Sequence, residues 1–179
     1  EEYEELVNID ELGALYTKTV TLEPREGNPA PRLVETPMGL INSIGLANPG
    51  LECFLKEKLP LLRNYSCAII ANIAGSTEDE YAMLIEGIEE WLSLSEPLPK
   101  IGIDGYEINV SCPNVCEGGM SFGIDPVIVK RLTRSLRKRT DKPLIVKLSP
   151  NVTDIAEIAR AAEEGGADAV SCINTVLGM

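Results

Sequence analysis

Cys112 stands in the run Asn109-Val110-Ser111-Cys112-Pro113-Asn114, directly after the apolar stretch Gly105 to Val110. Pro113 and the Gly118-Gly119 pair mark the residues beyond Cys112 as loop. A thiol on such a loop, among polar neighbours, can serve as a thiolate nucleophile or as a base. The chain contains no histidine. That excludes Ser-His and Cys-His pairs and histidine metal sites within it. Cys116 is the weaker candidate, and Cys53, Cys67 and Cys172 read as small structural hydrophobes.

Asn42, Asn109, Asn114 and Asn174 fall in or beside loops at expected strand ends. One asparagine there is an ordinary turn residue. Four together offer donors and acceptors suited to a small planar ring with C=O and N–H groups, such as a pyrimidine. Lys18 and Lys147 each lie within an apolar run. A buried lysine needs a partner, so two of them at strand ends suit an anionic ligand. The cluster Lys130, Arg131, Arg134, Arg137, Lys138 and Arg139 reads instead as the solvated face of one helix.

These residues must be positioned by five apolar strands: Leu15 to Val20, Ala68 to Ala74, Gly105 to Val110, Leu144 to Leu148 and Ala169 to Ile173. Helix signals alternate with them. Ser76 or Thr77 caps a helix reaching Leu94, Asp125-Pro126 starts another, and Thr153 caps a third ending at Gly165-Gly166. The Pro- and Gly-rich segment Glu23 to Pro37 reads as a loop or small hairpin over one end. Strand-helix alternation means parallel βα units. No GxGxxG or phosphate-loop motif marks an open doubly wound sheet. Lys18, Asn72, Asn109, Lys147 and Asn174, one polar group per strand end, match the (β/α)8 TIM barrel. About five of its eight units are expected, in one domain over residues 1–179.

Composition narrows the class further. The net charge of -12 opposes general nucleic-acid binding. No apolar run is long enough to span a bilayer, and no secretory leader is visible. Five scattered cysteines without a CxxC pair fit a reduced, cytoplasmic chain with no metal site. The start at Glu1 and the stop just past a strand-like run suggest an internal piece truncated at both ends.

Several blocks resemble the class 1 dihydroorotate dehydrogenases. They are Tyr16-Thr17-Lys18-Thr19-Val20, Asn42-Ser43-Ile44-Gly45-Leu46, Asn48-Pro49-Gly50, Ala71-Asn72-Ile73-Ala74-Gly75, Asn109 to Val115, Lys147-Leu148-Ser149-Pro150-Asn151 and Ile173-Asn174-Thr175. Cysteine at 112 points to class 1, and the Cys116-Glu117-Gly118-Gly119 continuation to the NAD-linked 1B subgroup. The resemblance implies a TIM barrel carrying FMN, with Cys112 removing a proton from dihydroorotate as hydride passes to the flavin, giving orotate. It assigns the substrate to Lys18, Asn42, Ile44, Gly45, Leu46, Asn109, Asn114, Asn174 and Thr175. It assigns FMN to Lys18, Asn72, Asn109, Lys147 and Ile173. It further implies an FAD and iron-sulfur partner subunit, a homodimeric core and no membrane or nucleic-acid partner. The alternatives are a dihydropyrimidine dehydrogenase-like flavin domain and a non-catalytic binding barrel. The family's glycine-rich phosphate site has no counterpart in these blocks, so the isolated 179-residue piece is expected to bind FMN poorly and not to turn over.

Overall fold

The computed structural model describes residues 5–62, 64–94, 102–111 and 122–178. Five strands form one all-parallel sheet: β1 (Ala14–Tyr16), β4 (Ala68–Ile73), β5 (Gly105–Asn109), β6 (Leu144–Lys147) and β7 (Ala169–Ser171). Their order across the sheet is their order along the chain. A doubly wound sheet reverses direction at a switch point. This one never does, and it curls as part of a TIM barrel.

The two faces of the sheet differ sharply. Ile69, Ala71 and Ile73 of β4, Tyr106 and Ile108 of β5, and Leu144 and Val146 of β6 share the outer face. All lie in the main apolar core. There they meet Leu84, Ile85 and Ile88 of α3 (Glu78–Leu94), Leu132 and Leu136 of α4 (Pro126–Arg137), and Ile158 and Ala162 of α5 (Ile155–Gly165). The inner face carries Ile70, Asn72, Glu107, Asn109, Ile145, Lys147 and Ser171. Both faces of β4 and β5 are covered, which is why β4 reads as a nearly unbroken apolar run, while β5 carries Glu107 and Asn109 on its covered inner face.

Side-chain caps start the outer helices. Thr77 Oγ1 accepts the Glu80 N–H at 3.1 Å, and the Glu80 carboxylate accepts the Ser76 N–H at 2.5 Å. Asp125 Oδ1 accepts from Val127 and Ile128, with Pro126 in the first turn. The third cap corrects the expectation of Thr153. Asp154 holds that place, its Oδ1 accepting from Ala156 at 2.8 Å and Glu157 at 3.4 Å. An ionised carboxylate there also meets the positive end of the helix dipole. α4 and α5 pack so closely that a Cβ on Gly165 would lie 2.7 Å from Thr133 Cβ.

At the N-terminal ends of the strands, two aspartates clamp two of the neighbouring pairs, β4 to β5 and β6 to β7. Asp104 Oδ2 accepts the Ile69 N–H at 2.8 Å while the Asp104 N–H donates to Ile69 C=O at 2.8 Å. Asp168 repeats both bonds with Leu144 at 2.8 Å. Asp168 is also held by Arg137 at 2.8 Å.

Two elements were not read from the sequence as they stand. A helical run spans α1 (Gly50–Cys53), a π turn (Phe54–Lys58) and α2 (Leu59–Leu62). Pro60 lacks the N–H an α turn would use there, and a π turn is one way to absorb that loss. A hairpin of β2 (Leu33–Thr36) and β3 (Gly39–Asn42) lies partly beyond the expected Glu23 to Pro37 segment.

Candidate functional site

The rim of the inner face begins with a correction to β1. Its regular pairing stops at Tyr16 opposite Ile70, and contact resumes at Val20 opposite Ile73. One extra residue therefore sits on the β1 side, the geometry of a bulge. Thr17 keeps the ladder satisfied by accepting the Asn72 N–H on Oγ1 at 3.1 Å, while the Val20 N–H donates to Asn72 C=O at 2.9 Å. Lys18 thus lies in the bulge, solvent-exposed, rather than inside an apolar strand. The protein around it and then the nearby Lys147 cation lower its pKa below the ordinary value of 10.5. Lys147 is half-buried as the last residue of β6, paired in register with Asn109 and Ser171.

Below these cations lies a buried polar cluster. Asn72 and Glu107 are only 3% and 5% exposed, and Asn72 Nδ2 donates to Glu107 Oε2. Ser171 Oγ donates to Glu107 Oε1 at 2.6 Å. Asn72 Oδ1 is buried without a hydrogen-bond partner. Asn109, 3% exposed, accepts on Oδ1 from Asn174 Nδ2 at 3.1 Å and from the Ser111 N–H at 3.3 Å. Asn174 is anchored by its N–H to Leu148 C=O and accepts the Thr175 N–H at 2.7 Å. Thr175 is exposed, as is Ile173 at 44%. Cys172 is exposed too, against the expectation of a structural thiol, because β7 ends at Ser171.

The Asn42 to Leu46 block belongs to a different element. Asn42 is the exposed last residue of β3, so it ends a hairpin strand and not a barrel strand. Ile44, Gly45 and Leu46 come next, half-buried. Gly45 has φ +75°, and a Cβ there would lie 2.7 Å from the Asn28 nitrogen. Leu46 has φ +57°, a left-handed conformation rare for a bulky residue. Buried Asn48 pins this turn. Its Oδ1 accepts from the Thr21 and Gly50 N–H groups, and its Nδ2 donates to Leu46 C=O at 2.7 Å.

Among the expected site residues, Lys18, Asn72, Asn109, Lys147 and Asn174 share one rim. Asn42, Ile44, Gly45 and Leu46 lie on the hairpin and the loop behind it. Cys112 and Asn114 lie outside the described residues. Glu107 and Ser171 were not anticipated. A charged residue between Tyr106 and Ile108 in a buried run was the available signal for Glu107. The basic residues of α4 do face outward, where Lys130 meets Glu164 and Arg131 meets Glu78, and Arg139 just beyond the helix meets Glu86. No metal-binding group and no helix able to cross a membrane occur among the described residues.

Comparison with known proteins gives this geometry a family. The model of the family described as dihydroorotate dehydrogenase matches residues 1–179. The chain is 51% identical over 178 residues to the "Dihydroorotate dehydrogenase B (NAD(+)), catalytic subunit" of Thermoanaerobacter pseudethanolicus, covering 99% of this chain and 56% of that protein. The protein of the same description from Listeria monocytogenes is 47% identical over 179 residues, covering 100% of this chain and 56% of the relative. The chain thus spans about half the length of the curated relatives it matches. Among solved structures, the carboxyl transferase domain of Rhizobium etli pyruvate carboxylase covers 63% of this chain and 18% of its own at 17% identity. Its TM-score of 0.47 is too low to bear on fold or function. From the whole-length family match and these identities, the chain belongs to the dihydroorotate dehydrogenase family.

Proposed function

We propose that this chain supplies the flavin- and substrate-facing part of a 1B-type catalytic subunit that oxidises (S)-dihydroorotate to orotate in pyrimidine biosynthesis. One observation carries the reading. Lys18 and Lys147 approach closely enough for one to lower the other's pKa, on the same rim as Asn72, Asn109 and Asn174. Two facing cations repel each other, and an anion between them relieves the repulsion. Dihydroorotate brings a carboxylate together with ring C=O and N–H groups. A neutral dihydropyrimidine brings only the latter.

The residues fit FMN as well. Buried Asn72 Oδ1 is an acceptor awaiting a donor, and a flavin ring carries an N–H. Lys18, Asn72, Asn109, Lys147 and Ile173 would hold the group, which supplies a hydride acceptor when bound. The Lys147 ammonium would stabilise the negative charge that builds up there on reduction. Asn109, Asn114, Asn174 and Thr175, with Lys18 and the Asn42 to Leu46 loop, would orient the substrate ring. Cys112 would take the C5 proton as hydride leaves C6, and the released electron pair forms the C5=C6 double bond. Its loop, through about Ser121, would exclude water.

The relatives are named as catalytic subunits of an NAD(+) enzyme. For this protein we extend that to an electron-transfer subunit carrying FAD and an iron-sulfur cluster, a homodimeric core, a single barrel domain including residues 1–179, and a cytoplasmic setting. Anaerobic mixing of the complete gene product with dihydroorotate should bleach the flavin, and dihydrouracil should do so far more slowly. Cys112→Ala should slow the bleaching roughly 10²–10⁴-fold, the usual range for loss of a general base. Equal rates with the two substrates, or an unaffected variant, would overturn the reading.

A further inference from the structure

Glu107 is a buried carboxylate on the inner face, and no step above uses it. Its surroundings are specific. Asn72 Nδ2 donates to one oxygen, and Ser171 Oγ donates to the other at 2.6 Å. No lysine or arginine forms an ion pair with it among the described residues. A buried charge without a countercharge is costly, so a carboxylate is a poor choice merely to bridge two strands. A neutral residue could bridge them, but it could not impose one direction.

Both Glu107 oxygens act as acceptors here, Oε2 from Asn72 Nδ2 and Oε1 from Ser171 Oγ, so the Asn72 amide faces Glu107 nitrogen inward. The consequence is visible: Asn72 Oδ1 is left buried and unpaired on the inner face. Rotating the amide by half a turn would remove the orphaned acceptor but set oxygen against carboxylate. We infer that Glu107 is a positioning residue that locks the Asn72 amide, keeping its carbonyl oxygen as an acceptor for a ring N–H of the bound flavin. Oδ1 is shielded from solvent, so the donor reaches it with a shift of the side chains above. Ser171 holds the other carboxylate oxygen and keeps Glu107 from turning away. The inference rests on the flavin reading above.

The test uses the complete gene product stripped of FMN and reconstituted. FMN affinity is measured by flavin fluorescence quenching, together with the midpoint potential of the bound flavin. N72A and E107A should each weaken FMN binding about tenfold, the loss expected when a buried hydrogen bond is removed. They should shift the potential in the same direction. The double variant should lose no more than N72A alone, because Glu107 acts through Asn72. E107Q should lose only a few-fold, since its amide lets Asn72 adopt either sense, and should have no effect in the N72A background. E107Q also serves where E107A fails to fold. Losses that add in the double variant, or an E107Q effect that persists without Asn72, would overturn the assignment. Wild-type protein that binds no FMN would overturn the flavin reading, and this inference with it.

Discussion

Lys18 shows what can be read from one residue and what cannot. Its type and place marked it as an anion-binding candidate, but the sequence put it inside a strand. The bulge after Tyr16 places it at the open rim, near Lys147. Its pKa is lowered, so part of its charge is lost below the ordinary value of 10.5. Affinity for orotate should therefore fall as pH rises through that lowered value. Lys147→Met removes the second cause of the lowering. Orotate binding should weaken overall, while its fall-off moves to higher pH. Titration calorimetry across pH checks this, and a fall-off at unchanged or lower pH would count against the pair. Stability responds to pH in the opposite sense from affinity. The unfolded chain holds the Lys18 proton more tightly, so this group's contribution to stability rises with pH between the two pKa values. Lys18→Met should unfold at a higher temperature than the parent at neutral pH while binding orotate more weakly. Glu107 stayed hidden because its role comes from partners distant in sequence, Asn72 and Ser171.

At the scale of elements, strands and outer helices were legible because each writes its own period into the chain. The caps were legible to within one residue: Asp154 displaced Thr153 because its carboxylate reaches both Ala156 and Glu157. The helical run from Gly50 was missed because Pro60 and a π turn break its pattern. The aspartate clamps were missed because an Asp before a strand looks like any turn residue. Asp168→Ala would leave the Leu144 N–H without its acceptor and Arg137 without its carboxylate, its guanidinium keeping only the Thr140 and Lys142 carbonyls. It should cost about 2 kcal/mol, with Asp104→Ala costing slightly less. Urea unfolding measures both, and orotate affinity should stay unchanged since the clamps lie at the opposite end of the strands. Gly165→Ala should cost about 1–3 kcal/mol by forcing α4 from α5, despite alanine's better helix propensity. An increase in stability would show that Thr133 gives way freely.

At the scale of the whole molecule, the choice between an open sheet and a barrel turned on missing phosphate motifs and on polar residues at strand ends. The strand order decides it physically, since it never reverses. The alternation of inner and outer faces is hidden in β4, which is covered on both sides and apolar on both, but it is written openly in β5 as Tyr106-Glu107-Ile108-Asn109. The residues proposed to face the substrate also come from two distinct structures, the barrel rim and the hairpin with its adjoining turn. Strand ends alone would have merged them.

The unbroken order of the sheet also bears on how the chain folds. Each strand of this parallel sheet pairs with one separated from it by a helix or a long connection, so none of its pairs can close locally. Loop-closure entropy must be met first, which makes such topologies slow and exposes apolar strand edges while they wait. On the ribosome, however, strands emerge in the same order in which they must be laid down: β1, β4, β5, β6, β7. Each new strand finds its partner in the strand laid down just before it, with only the outer edge of β1 as a competitor. Refolding from urea offers all the edges at once. The soluble yield after dilution should therefore fall well below that from translation at equal concentration, and equal yields would show that vectorial assembly contributes nothing.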